Sequence, residues 1–376
     1  MPEKVNLLFR RAWKFLLRRY IFIPINLMLL FLAIALVYSV VSEEKSRMEH
    51  EEYLAKAPTD TSNQYNEYGL PSGQELSEDI LYEIEGLYVY SDRVVASHVP
   101  ENNNSAAFAK NISALKRSFG DAQNVVILPI PTRSMYEPAI TGQMEVYQDY
   151  CNRLRNNVNN AVFSDCSEDI AQNGDRNLFY RTETTWTMPG AYYGYSSVAK
   201  ELGITVYPRE HFVTYQNNSF HGTLYSSLGQ IEEEYPEIEE IRESYPEDPF
   251  YFCLSDDAVD YELVKSGSDD AIYKRPYVTF ASPGTDSIVG SNIDYAILSG
   301  AGEGDLLLIA DDCGKMMASY LAENYKNVVV FDITRYKGLG YKHVLSGYDI
   351  KDIVVAQTFD QIGNRSYSRF LNYLSE

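Results

Sequence analysis

Three short runs near the C-terminal end contain no polar residue at all: Leu306 to Ala310, Val328 to Phe331 and Ile353 to Ala356. A strand with one wet face alternates polar and apolar side chains, and these runs do not alternate. They must be covered on both faces, and the stretch Cys313 to Asn324 between the first two has helical spacing. Apolar strands separated by helices specify an α/β fold built on a mostly parallel sheet. Val125 to Leu128, ending at Pro129 and Pro131, adds another short buried strand. Helical spacing recurs from Ala106 to Phe119 and from Met144 to Val158, and Leu87 to Tyr90 reads as a strand turning at Ser91-Asp92.

Leu178 to Arg181 is a short strand, after which Thr187 has the chemistry of a helix cap. Pro189 falls in the first turn, and the helix is predicted to run to about Leu202 before Gly203. Phe220 to Pro283 differs in texture. It is Tyr-rich, acidic from Ile231 to Glu247, and strand-like at Tyr251 to Leu254 and Tyr261 to Val264. We read it as a β-rich insertion with an exposed acidic loop, in which Glu232 to Glu234 and Glu239-Glu240 are solvated surface.

The chain has 376 residues, and its first part is set apart from the rest. Ile21 to Val41 is an uncharged apolar run of membrane-spanning length, interrupted by Pro24, Asn26 and Ser39. Lys4, Arg10, Arg11, Lys14, Arg18 and Arg19 precede it, whereas Glu43 and Glu44 follow. The positive-inside rule places residues 1–20 in the cytoplasm as a basic tail and the bulk of the chain outside. The run is too long for a usual signal peptide, and no small-x-small site follows, so an uncleaved transmembrane helix over 21–41 is expected. Residues 42–79 form a polar, acidic stalk, and 80–376 an extracytoplasmic domain.

Lys and Arg number 32 against 53 Asp and Glu, giving a net charge of −21. A surface of that sign repels nucleic acid, so no nucleic-acid partner is expected. Cys151, Cys166, Cys253 and Cys313 allow at most two disulfides. Cys151 and Cys166 are near enough in sequence to pair, and an exported domain permits it. No cysteine spacing fits zinc, and neither a metal nor another cofactor is expected.

The segment Tyr180-Arg-Thr-Glu-Thr-Thr-Trp-Thr-Met-Pro-Gly-Ala-Tyr-Tyr193 resembles the signature of the DHHW family, relatives of SGNH-hydrolase-like, alginate-type O-acetyltransferases. In that family an Arg-Thr-Asp-His-His-Trp run leads into a Gly-Ala-Tyr-Tyr helix. The flanks match, but Glu183, Thr184 and Thr185 stand where the family has Asp-His-His. Gly86 to Tyr90, Val126 to Pro131, His221 to Ser226 and Leu306 to Asp332 are similar to further family elements in the same order, covering roughly residues 80 to 370. The resemblance implies an SGNH-hydrolase-like three-layer domain with a mostly parallel sheet, a β-rich insertion and one transmembrane helix ahead of it. It also implies work on cell-envelope polysaccharide, beside a membrane-bound O-acyltransferase.

The family nucleophile is a Ser after an Asp at the end of an apolar strand. Here Asp311 matches that Asp and Asp312 the Ser. The Gly-rich stretch Leu298 to Gly304 stands where the family's oxyanion turn is expected, without its Asn or His. Acyl transfer needs a nucleophile, a base titrating near neutral pH and a group that orients the base. Thr185 cannot be the base, Glu183 has no imidazole to orient, and Asp312 would form a labile anhydride.

The resemblance therefore implies a degenerate site at Glu183, Thr185 and Asp312, a pseudoenzyme with a binding or accessory role. Arg181, Trp186, Tyr192, Tyr193 and Asp311 are candidate ligand contacts, although Trp186, Tyr192 and Tyr193 also suit packing of the helix onto the sheet. Two other readings stand beside it. Glu183, Asp311 and Asp312 would form a carboxylate cluster for altered chemistry, or the old cleft is filled and the protein is structural. Asp312 also suits a helix cap or first-turn carboxylate. Ser91 before Asp92 reads as a turn, His98, His211 and His343 as surface, and His221 as packing before Gly222.

Overall fold

The computed structural model describes residues 75–97, 105–119, 124–173, 177–216, 220–248, 251–254, 261–264, 272–274, 295–332, 345–362, 364 and 371, with the backbone alone for 213–216, 251–254, 261–264 and 272–274. All of them belong to one compact unit, Pro58–Glu376. The apolar run at Ile21 to Val41, the stalk up to residue 74, His98 and His343 lie outside the described residues. Among the described residues no helix is long and apolar enough to cross a membrane.

In chain order, β1 (Tyr82–Ile84), β2 (Leu87–Val89) and β3 (Val94–Ala96) form a small antiparallel sheet. Helix α1 (Ser105–Ser118) follows, then β4 (Asn124–Ile130), α2 (Gln143–Asn157), β5 (Val162–Phe163), α3 (Ser167–Ala171) and α4 (Met188–Leu202). After β6 (Val213–Gln216) come α5 (Thr223–Ile231) and α6 (Glu237–Glu243), then β7 (Tyr251–Leu254), β8 (Tyr261–Val264), β9 (Ile272–Lys274) and β10 (Tyr295–Ser299). The chain continues as β11 (Asp305–Ala310), α7 (Asp312–Lys315), α8 (Ala318–Leu321), β12 (Asn327–Asp332) and β13 (Ile350–Thr358).

The main sheet has eight strands in the order β5-β4-β13-β11-β12-β10-β8-β9. Strands β5, β4, β13, β11 and β12 run parallel. Strand β10 is antiparallel to both β12 and β8, and β9 pairs antiparallel with β8. The fold is thus α/β with a mostly parallel mixed sheet, as the unbroken apolar runs require. Leu306, Leu308 and Ala310 pack on one face with Ala191, Tyr195 and Val198 of α4. Leu307 and Ile309 pack on the other face with Ile112 of α1 and Leu154 of α2. Strand period and two helical layers together explain why β11 is apolar from Leu306 to Ala310, between Asp305 at its start and Asp311 just past its end.

Helix α4 begins and ends as its sequence predicts. The Thr187 Oγ1 accepts from Gly190 N at 3.3 Å, Pro189 sits in the first turn, and Gly203 closes the helix in the left-handed region at φ 68°. Other expectations need correction. The helix predicted from Cys313 to Asn324 is two short turns, α7 and α8. The acidic stretch Ile231 to Glu247 is not a loop, because α6 occupies its middle. Ile238 is buried and Ile241 partly buried, packing with Leu228 of α5 against β1–β3, and Arg242 pairs with Glu232. Apolar residues three apart turned that stretch into a helix with one dry face. Strands β7 and β8 lie where the sequence placed them.

Cys151 and Cys166, near enough in sequence to pair, are both free thiols, as is Cys313. Cys151 packs in the core on the α1 and α2 side of the sheet and Cys166 in the core on the α4 side. Burial pushes the Cys151 thiol up to about 12, leaving it unreactive.

Because Leu308 is completely buried between β-sheet neighbours and helix, Leu308→Ala is expected to lower stability by about 2–5 kcal/mol, read from the urea midpoint. Lys351→Ala at an exposed position of β13 should shift it by less than about 0.5 kcal/mol.

Candidate functional site

Parallel β4, β13, β11 and β12 end on one edge of the sheet, and the DHHW-like segment lies against that edge. Strand β11 ends at Ala310, and Asp311 caps α7. Its Oδ1 accepts from Gly314 N at 3.0 Å, while Oδ2 accepts from Thr358 N at 2.7 Å and Thr358 Oγ1 at 2.6 Å. One buried carboxylate thereby joins the ends of β11 and β13. A Cβ on Gly314 would stand 2.2 Å from Ala356 O, so α7 starts directly over the backbone of β13. Burial raises Asp311 from 3.8 to about 6; the bonds from Thr358 and Gly314 pull it down, and neighbouring Asp312 pushes it up.

Asp312 is the solvent-facing member of the pair, with its side chain 43% exposed. Its Oδ1 lies 2.5 Å from Lys315 Nζ, and the same ammonium is 2.6 Å from Asp332 Oδ2 at the end of β12. Burial alone would pull the Lys315 pKa down, but Asp312 and Asp332 outweigh it and hold the ammonium charged. The cap expected at Asp312 therefore falls one residue earlier, on Asp311, and Asp312 is the first-turn carboxylate of α7.

The segment itself is a tight loop. Phe179 bridges Trp186, Tyr180 N donates to Thr185 O at 3.3 Å, and Thr187 N donates to Leu178 O at 2.9 Å. Asp248 fixes it from outside. That carboxylate accepts from Arg181 N at 3.0 Å, Thr182 N at 2.9 Å and Thr182 Oγ1 at 2.6 Å, and lies 3.2 Å from Arg181 Nε. The guanidinium also donates to the carbonyls of Pro246 and Glu247. Arg133 holds the inner side by donating to Tyr180 O at 3.1 Å.

Glu183 points to the start of α5. Its Oε2 accepts from Thr223 N at 2.9 Å, and Oε1 accepts from Thr223 Oγ1 at 2.7 Å, Thr184 N at 2.7 Å and Thr184 Oγ1 at 3.1 Å. A carboxylate so placed satisfies exposed N–H groups and suits the helix dipole. Gly222, just before α5, presses on the loop so closely that a Cβ would meet Thr182 O at 2.3 Å. Thr185 is buried and its hydroxyl makes no hydrogen bond. Trp186, wholly buried, donates from Nε1 to the carbonyl of Cys313 at 2.9 Å.

That last bond brings the loop alongside the 311–313 turn, and the buried Cys313 thiol feels the charges of Asp311, Asp312 and Glu183. Glu183, Thr185, Asp311 and Asp312 are therefore neighbours, but Glu183 and Asp311 each direct both oxygens to backbone and threonine donors. Arg181 and Trp186 bond inward. Tyr192 and Tyr193 are half-buried; Tyr192 donates to Tyr207 O at 3.0 Å and meets Tyr193 and Tyr320 edge-on. His221 stacks on Tyr225, while His211 bonds Glu323 at 3.0 Å.

Leu298 to Gly304 is not at this edge. It links the end of β10 to the start of β11, and Gly300 there donates to Lys326 O at 2.8 Å. A Cβ on Gly300 would stand 1.9 Å from Ala322 O, so these glycines serve close packing at the far end of the strands. Asp248, Thr358, Lys315 and Asp332 organise the site without any sequence signal that marked them.

Two outcomes test this geometry. Asp248→Ala removes the carboxylate that lies against the buried Arg181 guanidinium and should cost about 3–5 kcal/mol in denaturant unfolding. Between pH 4 and 6 the folded chain keeps on Asp311 a proton that the unfolded chain has released, so this group's contribution is present at low pH and lost as pH rises. The stability difference, wild type minus Asp311→Asn, should therefore fall by roughly 1–3 kcal/mol from pH 4 to 7.

A family model described as DHHW protein matches residues 88–331, more than half of the chain. Among solved structures, a DHHW family protein from Eubacterium siraeum is similar at a TM-score of 0.61 and 16% identity, covering 76% of this chain and 97% of its own. PatB1 from Bacillus cereus, with a sulfonyl adduct, is similar at a TM-score of 0.58 and 10% identity, covering 75% and 97%. The O-acetyltransferase domain of AlgJ from Pseudomonas putida gives 0.46 and 11% identity, covering 77% and 98%. No curated protein matches the sequence. The TM-scores of 0.61 and 0.58 speak for a common fold, and the family model, which spans the loop and the strand edge, settles membership: this chain belongs to the DHHW family.

Proposed function

We propose that this protein is a membrane-anchored, extracytoplasmic DHHW protein that does not carry out acyl transfer and acts as a binding or accessory component in cell-envelope polysaccharide O-acetylation. The observation that carries the reading is the employment of the three family positions. Glu183 caps α5, Thr185 is a buried hydroxyl that cannot titrate near neutral pH, and Asp312 pairs with Lys315. An acyl-transfer site needs a nucleophile, a base and an orienting group acting as a unit. Removing members of such a unit lowers the rate by about 10⁴ to 10⁶ in a serine hydrolase. Anchoring rests on Ile21 to Val41 with its preceding cations, and the expected partner is a membrane-bound O-acyltransferase.

One observation favours a second reading, an enzyme with an altered carboxylate site. Asp311 is held near 6 by burial, and Asp312 beside it faces solvent. Against it, both oxygens of Asp311 are engaged by Gly314 and Thr358. Hydrolysis of p-nitrophenyl acetate by the purified full chain separates the two. The expected rate equals that of Asp312→Ala and of buffer; turnover that disappears in Asp312→Ala would establish the altered enzyme instead.

A further inference from the structure

We propose that the cavity of about 930 Å³ between residues 75–79 and the loop after β4 is a saccharide subsite that accepts uncharged sugar residues and rejects uronates and phosphorylated sugars. The inference rests on the proposed role as a binding component in polysaccharide O-acetylation, read as glycan binding, and adds to it a place and a substrate class.

The cavity is lined by the turn between β2 and β3, which carries Tyr90 and Arg93, and by the loop following β4. Tyr90 is buried, with the Arg93 guanidinium stacked 3.8 Å over its ring. Arg93 donates to both oxygens of Glu137, at 3.0 and 2.6 Å, and to Asp92 at 2.8 Å. Arg133 donates from Nε to the same Glu137 at 2.7 Å and from Nη1 to Tyr180 O, so the cavity shares a wall with the DHHW segment. One wall carries Tyr136 and Phe179, stacked with ring centroids 5.6 Å apart. Aromatic faces beside fixed donors and acceptors suit a sugar ring, which offers apolar C–H faces and a girdle of hydroxyls.

Charge decides which sugars. The two guanidiniums are already matched inside by Asp92 and Glu137. The rim then adds Glu75, Glu78 and Asp79 with no further cation among the lining residues. The rim is fixed, because Ser77 N donates to Asp92 at 2.9 Å and Ser77 O accepts from Arg93 at 2.8 Å. Three carboxylates at the mouth, on a chain of net charge −21, repel an acidic polymer within about 8 Å at physiological salt.

Calorimetric titration of the full chain in lipid nanodiscs with penta-N-acetylchitopentaose and with pentagalacturonate tests this. Ala139 is exposed and lines the cavity, so Ala139→Trp fills it without touching the core. We expect the neutral oligomer to bind wild type and to lose tenfold or more in affinity for Ala139→Trp, whose melting curve stays unchanged. Neutralising the rim (Glu75→Gln, Glu78→Gln and Asp79→Asn together) should leave neutral binding within threefold and raise galacturonate binding at least tenfold. Equal neutral binding by Ala139→Trp would overturn the subsite while leaving the glycan-binding reading in place. Equal affinity of wild type for the two oligomers would overturn the charge selection. Binding of neither oligomer would overturn the subsite and the reading on which it rests.

Discussion

A single buried carboxylate, that of Asp248, holds the arrangement around the DHHW segment. It receives two successive backbone N–H groups and a hydroxyl from Arg181-Thr182 and lies against the Arg181 guanidinium. A charge with this many donors is stable in a dry environment, whereas the same charge alone would not be. Everything downstream in the loop inherits its position from that anchor. Thr182, once placed, accepts from Gly222 N through its hydroxyl and from Leu224 N through its carbonyl, which sets the start of α5. Trp186 then reaches the carbonyl of Cys313 and ties the loop to the strand edge.

With loop and edge docked in this way, Glu183, Asp312 and Thr185 each have a mechanical duty. Glu183 is long enough to span from the loop to Thr223 and to bond both its N–H and its hydroxyl. Asp312 supplies one of two carboxylates around a buried ammonium, and Asp332 supplies the other. Thr185 fills space with a methyl group, at the expense of a hydroxyl that finds no bond.

The sheet was legible in the sequence because its strands are buried on both faces, and an unbroken apolar run such as Leu306 to Ala310 has few other uses. The cap at Thr187 and the stop at Gly203 were legible because their chemistry is local. What stayed hidden depends on distance in sequence. Asp248 is one acid in an acidic stretch, and nothing near it names Arg181 as its partner. Thr358 is the last residue of β13, and only the parallel pairing with β11 brings it to Asp311. The Cys151–Cys166 pair failed for the same reason, since fifteen residues of chain pass from one face of the sheet to the other. The acidic helix α6 was missed because its charge outweighed the two isoleucines, Ile238 and Ile241, that bury one side of it.

These duties also couple the substitutions to one another. A Ser at position 312 would take one carboxylate away from Lys315, whose deeply buried ammonium also meets Asp332. An Asp at position 183 would be one methylene short of Thr223 and would withdraw the cap from α5, whose first residues pack the loop through Gly222. A His at position 185 would bring an imidazole into a buried site now filled by a threonine, next to Trp186. Each of these changes made singly would weaken the scaffold on which the others act, so the loop and the strand edge behave as one packed unit, held on its inner side by Arg133.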